Sequence, residues 1–584
     1  MILKDVLVMQ MNRFIFLIFG LAVPVLINFN ICFSQTPGWE WAKSLDVPQG
    51  VNYSSSGRVI KSDAMDNLYV SGNFYGTIDF DPGPDTSYLT SIGEFDVFIA
   101  KYDQSGNFVW VKSIAYSGIN YIDCLSFDFD ASDNIYLTGY FRGRIDFDPD
   151  TTTYTMFSAI QDMYILKMDS SGSYKWAKQI SGNGQFSEAK SIAIDAASNI
   201  YLTGNFEGTC DFDPGTGIYN LTSSSSYNSF ILKIDSSGSF IWAKSFDGTA
   251  SVSSGKSVSI DDSGNVYTSG VFFNTIDFDP GQLSFPLTSL GNSDIFISKL
   301  DSAGNFIWAK SVGGTNLDEN TDMVTDAYGN IYLTGYFMGI SDFDPGLVVY
   351  NLTSAGSQDL FVLKLNALGN LQWANGIGGT FPDKGMSIEV DNIGCVYTTG
   401  FFIGSVDFDY GPGNYVISGS PSAPDFFVLK LLPGGNFDWV KSSSGSAAAV
   451  GNDLNLNSSN LINLLAEFSG TSLILDTYTL NNAFANGNIM FLAQLNNTTG
   501  VDFISENKSV LIYPNPADKF ININVPDSNN PSVVRIYNLT GKIIFESICN
   551  SGSFNLEISD LTSGIYIIEI EVDFKKIQKK LVVN

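Results

Sequence analysis

The sequence predicts an all-β protein, and three observations carry that expectation. Of its 584 residues, 14% are aromatic and only 15% charged, against about 25% charged in an average soluble domain. Aromatic side chains suit a half-buried pleated surface, and so few charges cannot clothe long solvated helices or an acidic disordered tail. Glycine is abundant, at 55 residues, and gathers in Asp-x-x-Gly-Asn clusters whose residues tolerate positive φ and close hairpins. Tryptophan recurs at Trp41, Trp110, Trp176, Trp242, Trp308, Trp373 and Trp439, 65 to 69 residues apart. Each is followed by Ala or Val, and six of the seven then by Lys. A fixed period of this length marks a tandem array.

The first element is an address. Phe14 to Leu26 form an apolar run preceded by Arg13 and followed by Cys32-Phe33-Ser34, a pattern that predicts a signal peptide over residues 1–34, cut between Ser34 and Gln35. Asp5 fits the basic leader poorly, so either Met1 or Met11 serves as the start. The alternatives are a membrane span, for which the run is short of the ~20 residues required, and a lipoprotein through Cys32, where bulky Ile31 stands in place of a small residue. No later stretch is apolar enough to span, so no transmembrane segment is expected in the mature chain.

The array occupies residues 35–500. In the copy Ser257 to Ser311, a short strand Ser257–Ile260 meets a turn, and Val266–Phe272 follows as a second strand. The chain runs on through Thr275-Ile-Asp-Phe-Asp-Pro-Gly281 to a third strand, Ile295–Leu300, and a fourth, Phe306–Ser311. Four short antiparallel strands per copy describe the blade of a β-propeller. The last copy has a degenerate first half, a third strand Ile489–Leu495 and no Trp-Ala-Lys-Ser strand, whereas Trp39-Glu-Trp-Ala-Lys-Ser44 stands alone at the other end. The expectation is seven blades, with the N-terminal strand closing the seventh so that neither edge is left open.

The repeat resembles the bacterial β-propeller repeat family (SBBP-like), on Asn199-Ile-Tyr-Leu-Thr-Gly204, Phe230-Ile-Leu-Lys-Ile-Asp235 and Gly238 to Trp242. The resemblance implies the fold over residues 37 to 500 and no defined activity.

Composition excludes several functions. Asp and Glu number 60 against 30 Lys and Arg, a net charge of −30, which repels a nucleic-acid backbone. Histidine is absent, which removes Ser–His–Asp and Cys–His nucleophiles and His-ligated zinc. Cys124, Cys210, Cys395 and Cys549 show no disulfide or metal spacing.

Antiparallel order puts the one-to-two and three-to-four turns on one rim and the long, variable connections on the other. Loops on a rigid scaffold carry function, so the long-loop rim is the expected binding surface. On it fall the paired acids Asp79 and Asp81, Asp146 and Asp148, Asp211 and Asp213, Asp277 and Asp279, Asp342 and Asp344, and Asp407 and Asp409. Residues i and i+2 of an extended segment point the same way. Each pair offers two oxygens-rich groups toward Ca²⁺, or else the first Asp ends a strand and the second initiates an Asp-Pro-Gly turn. Near-identical copies argue against one tuned acid and base, so no enzyme and no cofactor other than Ca²⁺ are expected. The repeated lysines, such as Lys299 and Lys310, read as solvated outer-edge charge, with anion binding as the alternative. Tyr332 and Phe337 read as interblade packing, with sugar stacking as the alternative.

After a linker, 501–509, the register changes. Residues 510–584 hold six or seven short strands and read as a small, Ig-like β-sandwich. Tyr513-Pro514-Asn515-Pro516, Leu539-Thr540-Gly541-Lys542, Ser563-Gly564-Ile565-Tyr566 and the basic final strand are similar to the type IX secretion C-terminal sorting domain (type A). That resemblance implies passage through the type IX translocon to the outside or the outer-membrane surface of a Gram-negative cell. The expected role is an adhesion module binding an extracellular glycan or protein; the alternatives are a polysaccharide hydrolase or lyase, or a purely structural surface protein.

Overall fold

The computed structural model describes residues 37–47, 53–497 and 511–583, apart from 119, 151, 185, 225, 249, 412, 444–446, 483–486, 514–518, 526–531, 539–541, 550–551, 560, 563 and 573–574. All regular structure among the described residues is β. The signal-peptide cut at Ser34 and Gln35, the linker 501–509, and Pro514, Asn515, Pro516 and Gly541 lie outside them. The chain divides into two compact units, one spanning Thr36–Thr499 and another containing Gly500–Asn584.

The turns of the first unit show why its sequence repeats. In Asp301–Asn305, the Asp301 Oδ1 accepts from the backbone N–H of Ala303 and Asn305, both at 2.9 Å, while Asn305 Nδ2 donates to Oδ2 at 2.8 Å. Gly304 N–H closes the turn on the Asp301 carbonyl with φ +81°, a conformation that favours glycine. A Cβ at Gly304 would also press on Trp242 and Lys244 of the preceding copy at 3.1 Å. The period of the tryptophans therefore has a mechanical origin: at Trp41, Trp110, Trp176, Trp242, Trp308 and Trp373 the ring lies beneath the turn glycine of the next copy, as Trp110 does beneath Gly172 and Trp308 beneath Gly369.

Hydrogen bonding groups the strands into four-strand antiparallel modules. Their first strands are Ser54–Ser62, Tyr121–Phe129, Glu188–Ile194, Val252–Ile260, Asp318–Thr325, Lys384–Val390 and Ala448–Leu456, here modules 1 to 7 in that order. In the seventh, Trp39–Ser44 pairs with Ile489–Leu495 and takes the fourth-strand place. Trp41 lies beneath Gly106 in the same way. First strands of consecutive modules pack side by side, and Ala448–Leu456 returns to pack against Ser54–Ser62. The arrangement is propeller-like. The bonds of that seam include Asn452 Nδ2 to the Gly57 carbonyl at 2.8 Å and Ser62 Oγ to Asn455 Oδ1 at 2.7 Å. Tyr332 and Phe337 are fully buried in the apolar clusters of neighbouring modules.

The lysines of the third strands depart from expectation. Lys299 is 9% exposed: its Nζ lies 4.6 Å from the Tyr267 ring centroid, 2.5 Å from the Tyr267 hydroxyl and 3.6 Å from the Asp261 carboxylate. Tyr267 donates in turn to Asp261 at 3.1 Å. Sequence spacing alone could not show that a partner ring and carboxylate sat within reach, which allows the ammonium to be buried. The same placement of Lys over Tyr recurs at Lys101, Lys167, Lys233, Lys364 and Lys430. Lys310, half-buried, lies against the Gly369 turn of the next module. Tyr267→Phe removes the hydroxyl from this relay, and a loss of about 1–2 kcal/mol in urea denaturation is expected.

The second unit holds two antiparallel sheets. One contains Leu511–Tyr513, Phe520–Val525 and Gly552–Glu557; the other contains Ser532–Tyr537, Ile543–Cys549, Gly564–Val572 and Lys575–Val583. Residues from both sheets, Ile521, Ile523, Val534, Ile568 and Leu581 among them, share one apolar cluster. Of the motif positions described, Tyr513 ends the first strand, Lys542 is exposed, Gly564 opens a strand, and Tyr566 is buried with its hydroxyl on the Thr562 carbonyl at 2.7 Å.

Candidate functional site

The surplus length of each copy forms a second, smaller hairpin between strands two and three, for example Thr275–Asp277 with Pro286–Thr288. In modules 2 and 5 the two main strands run on continuously into it. The hairpin is pinned to the exit of the preceding fourth strand: Ser181 pairs with Asp211, Gly313 with Asp342, and Asp46, Ala115 and Asp247 bridge to Asp79, Asp146 and Asp277. Its phenylalanine, Phe278 in module 4, is fully buried.

The paired acids therefore stand one pair to each of modules 1 to 6 and do not gather into one site. Each first carboxylate accepts two backbone N–H groups. Asp277 Oδ1 takes Asp279 N–H at 3.1 Å and Phe285 N–H at 2.7 Å, and Asp79, Asp146, Asp211, Asp342 and Asp407 make the equivalent bonds. Each second carboxylate caps its own turn, as Asp279 Oδ1 does with Gly281 N–H at 2.8 Å; Asp81, Asp148, Asp213, Asp344 and Asp409 repeat it. These are the bonds of turn bracing. No group of three or more His, Cys, Asp or Glu among the described residues is arranged to hold a metal ion. Asp277→Ala forfeits one half-buried bond, from Asp279 N–H, and one exposed bond, from Phe285 N–H, and is expected to cost about 1 kcal/mol. Calorimetry with and without Ca²⁺ separates the two roles: bracing alone gives the same melting midpoint in both.

A different site lies where the seven first strands meet. Each carries a β-bulge at the same place, with register shifts between Gly57 and Val59, Cys124 and Ser126, Ala189 and Ser191, Gly255 and Ser257, Asn320 and Asp322, Gly385 and Ser387, and Gly451 and Asp453. A bulge bends its strand and re-aims the side chains beside it. The glycine of the Thr-Gly repeat makes room for it: a Cβ on Gly335 would sit 2.1 Å from the Glu319 carbonyl oxygen. The re-aimed side chains surround an axial cavity of about 410 Å³ lined by all seven first strands.

Its lining is charged and unequal from copy to copy. One residue after the bulge positions Gly57, Cys124, Ala189, Gly255, Asn320, Gly385 and Gly451, the seven modules present Arg58, Leu125, Lys190, Lys256, Thr321, Met386 and Asn452. Toward the turn rim come Lys61, Asp128, Asp322, Glu389 and Asp453. Some of these acids tie modules together. Asp453 takes Ile60 N–H at 2.8 Å, Asp322 takes Ile388 N–H at 3.1 Å, and Asp128 takes Ile194 N–H at 3.0 Å and Lys61 Nζ at 2.8 Å. Burial pushes the Glu389 carboxyl up to about 8, with Asp322 and Asp453 adding to the rise and Lys61 opposing it. Burial likewise lifts Asp453 to about 7. Burial draws Lys61 down, but Asp128, Glu389 and Asp453 outweigh it and hold its pKa above the ordinary value. A carboxyl raised on folding keeps a proton that the unfolded chain releases, so stability falls as pH rises from about 4 to about 8. Urea denaturation at pH 5, 6.5 and 8 is expected to show this decline, and Glu389→Gln to flatten it by up to about one proton.

Repeat-based reading of the sequence passes over these residues because they are the positions at which the copies differ. The signal was present: within copies otherwise alike in Trp, Asp and Gly, one position alternates between Arg, Lys and uncharged residues.

Residues 511–584 match the family described as secretion system C-terminal sorting domain. The segment is a type IX sorting domain, handled by that secretion system, and it indicates export and a cell-surface or extracellular location. An uncharacterized WD repeat-containing protein, L264, of Acanthamoeba polyphaga mimivirus is 23% identical over 431 residues, 61% of this chain and 31% of that protein. Regulatory protein FlaEY of Caulobacter vibrioides is 27% identical over 110 residues, 19% of this chain and 12% of its own. The chain thus spans less than a third of either curated relative. Among solved structures, PorZ of Porphyromonas gingivalis, an essential bacterial surface component of the type-IX secretion system, aligns at 12% identity and TM-score 0.22, covering 91% of this chain and 82% of its own. Sqt1 of Chaetomium thermophilum aligns at 10% identity and TM-score 0.35, covering 73% and 97%.

Proposed function

We propose that the chain is a seven-bladed β-propeller of the bacterial β-propeller repeat type, led by a signal peptide and delivered outside by its sorting domain, and that it is a non-enzymatic binding module. The ligand, an extracellular glycan or a protein segment, enters the axial cavity from the rim of long connections, where the first strands begin. The observation that supports this reading is the contrast within one array. The copies agree wherever they brace the scaffold and differ where their side chains face the axis. A purely structural ring has no need of unequal charges there, whereas a binding site is built from a few placed polar groups in a concavity.

A glycan and protein array probed with the exported chain tests it. Leu125 lines the cavity, and Leu125→Trp is expected to abolish any signal while melting within a few degrees of the parent. A signal unaffected by this plug places binding elsewhere. One observation favours hydrolysis as a second reading. A carboxyl lifted near 8 beside other acids, as at Glu389, has the setting of a general acid. Asp322 and Asp453, its neighbours, spend oxygens on Ile388 and Ile60 N–H, which weakens them as nucleophile or base. Release of reducing ends from a polysaccharide, lost in Glu389→Gln, would establish that reading.

A further inference from the structure

The seven first strands present their charges in two tiers. Nearer the long-connection rim stand Arg58, Lys190 and Lys256; nearer the turn rim, acids predominate. In a chain of net charge −30, Arg58, Lys190 and Lys256 bring three cations to one level of one cavity.

Each already has an acid partner on its rim side, and Glu467 is a further carboxylate near Arg58. Arg58 meets Asp123 at 3.4 Å, Lys190 meets Glu188 at 3.3 Å and Lys256 meets Glu319 at 3.7 Å. Each acid comes two residues before the matching cation position on a first strand, that is, toward the rim. These contacts are longer than the 2.8 Å of Lys61 with Asp128 deeper in the cavity. Lys190 also donates to Ser254 Oγ at 2.9 Å, across to the strand that bears Lys256. The two ammonium groups are close enough to repel: burial and Lys256 together draw the Lys190 pKa below its ordinary value. An ammonium has three donors and no acceptor, so crowding of this kind is relieved by a group that brings oxygen acceptors and negative charge.

We propose that the axial cavity takes its ligand by an oxyanion, a carboxylate, sulfate or phosphate group, held by Arg58, Lys190 and Lys256. This deepens the binding reading above and rests on it. Acids flank the cation level on both sides, Asp123, Glu188 and Glu319 toward the rim and Asp128, Asp322, Glu389 and Asp453 toward the turns, so the cation level is the one place in the cavity for the oxyanion. Arginine supplies a fork that suits two oxygens of one group, and the lysines supply point charges.

Titration calorimetry of the full chain at constant ionic strength, with galacturonic acid, galactose and inorganic sulfate, tests this. Either anion is expected to bind at least tenfold more tightly than galactose. Sulfate alone identifies the bare oxyanion as the ligand chemistry, and galacturonate alone an acidic sugar. Lys190→Gln with Lys256→Gln is expected to weaken the anion tenfold or more, the Lys→Arg pair to restore it, and Lys310→Gln, away from the axis, to leave it unchanged. Restoration by arginine separates lost charge from a damaged fold. Galactose binding as tightly as galacturonate, absence of heat from both anions, or anion binding that survives the double Gln variant overturns the oxyanion. If a neutral ligand binds and Leu125→Trp blocks it, the axial reading stands and only the oxyanion falls; if the plug blocks nothing, both fall.

Discussion

Deleting residues 37–46 is expected to cost the repeat region its cooperative folding, with a melting midpoint lowered by roughly 10 °C or more and association in size-exclusion chromatography. Trp39–Ser44 is the fourth strand of the seventh module, in register with Ile489–Leu495 from Ser44 opposite Phe491 to Trp39 opposite Leu495. All seven residues of Ile489–Leu495 are buried, so removing their neighbour exposes an apolar edge ready to pair with another chain. Trp39 is itself buried, with its ring 6.1 Å from that of Phe426, and Trp41 supports the Gly106 turn of module 1. Trp39→Ala alone is expected to cost about 3–5 kcal/mol. Calorimetry of the truncated chain reads the outcome, and a midpoint within two or three degrees of the parent would show that the seam carries no load.

Gly335→Val is expected to destabilise by about 3 kcal/mol or more, measured by chemical denaturation. The cause is close approach rather than backbone dihedral: the space for a Cβ is taken by the Glu319 carbonyl at 2.1 Å, the Asn320 Cα at 2.7 Å and the Phe361 ring at 2.9 Å. Two of these atoms belong to backbone and cannot swing aside. Gly72, Gly139, Gly204, Gly270 and Gly400 meet the equivalent carbonyl at 1.9–2.1 Å. Module 7 has Ala466 at this position, opposite Gly451, so a single methyl is accommodated there and valine, not alanine, is the decisive substitution. Because the bulge aims Lys256, Asp322 and their counterparts at the axis, a surviving Gly335→Val chain is also expected to hold the proposed oxyanion less tightly.

The all-β character and the propeller-like architecture were legible because both follow from spacing. A tryptophan that must lie beneath the next turn recurs wherever there is a next turn, and an aspartate that braces a turn recurs with it. Trp39-Glu-Trp-Ala-Lys-Ser44 carries the fourth-strand pattern and lies in a fourth-strand place, so one signature serves at both ends of the array. The axial residues were not legible in the same way. Arg58, Glu389 and Asp453 belong to no motif, and their convergence depends on a bulge that period-two alternation does not announce. Lys299 shows the complementary limit. A lysine on an alternating strand reads as solvent-facing until the ring of Tyr267 and the carboxylate of Asp261 are seen beside it. For the paired acids, both alternatives used the same residues, and only the i+8 bond from Phe285 to Asp277 displays the bracing role.

The seam has a kinetic meaning. Its bonds join positions as far apart as Gly38 and Asn496, so the closing step waits for nearly the whole array to be in place, and contacts of such separation form slowly. The reverse also holds at the seam: opening there breaks the Trp39–Ser44 pairing. Outside the cell, where proteases remove each molecule that opens and no chaperone returns it, half-life is set by that opening rate rather than by equilibrium stability. A ring sealed by its two ends is suited to lasting there.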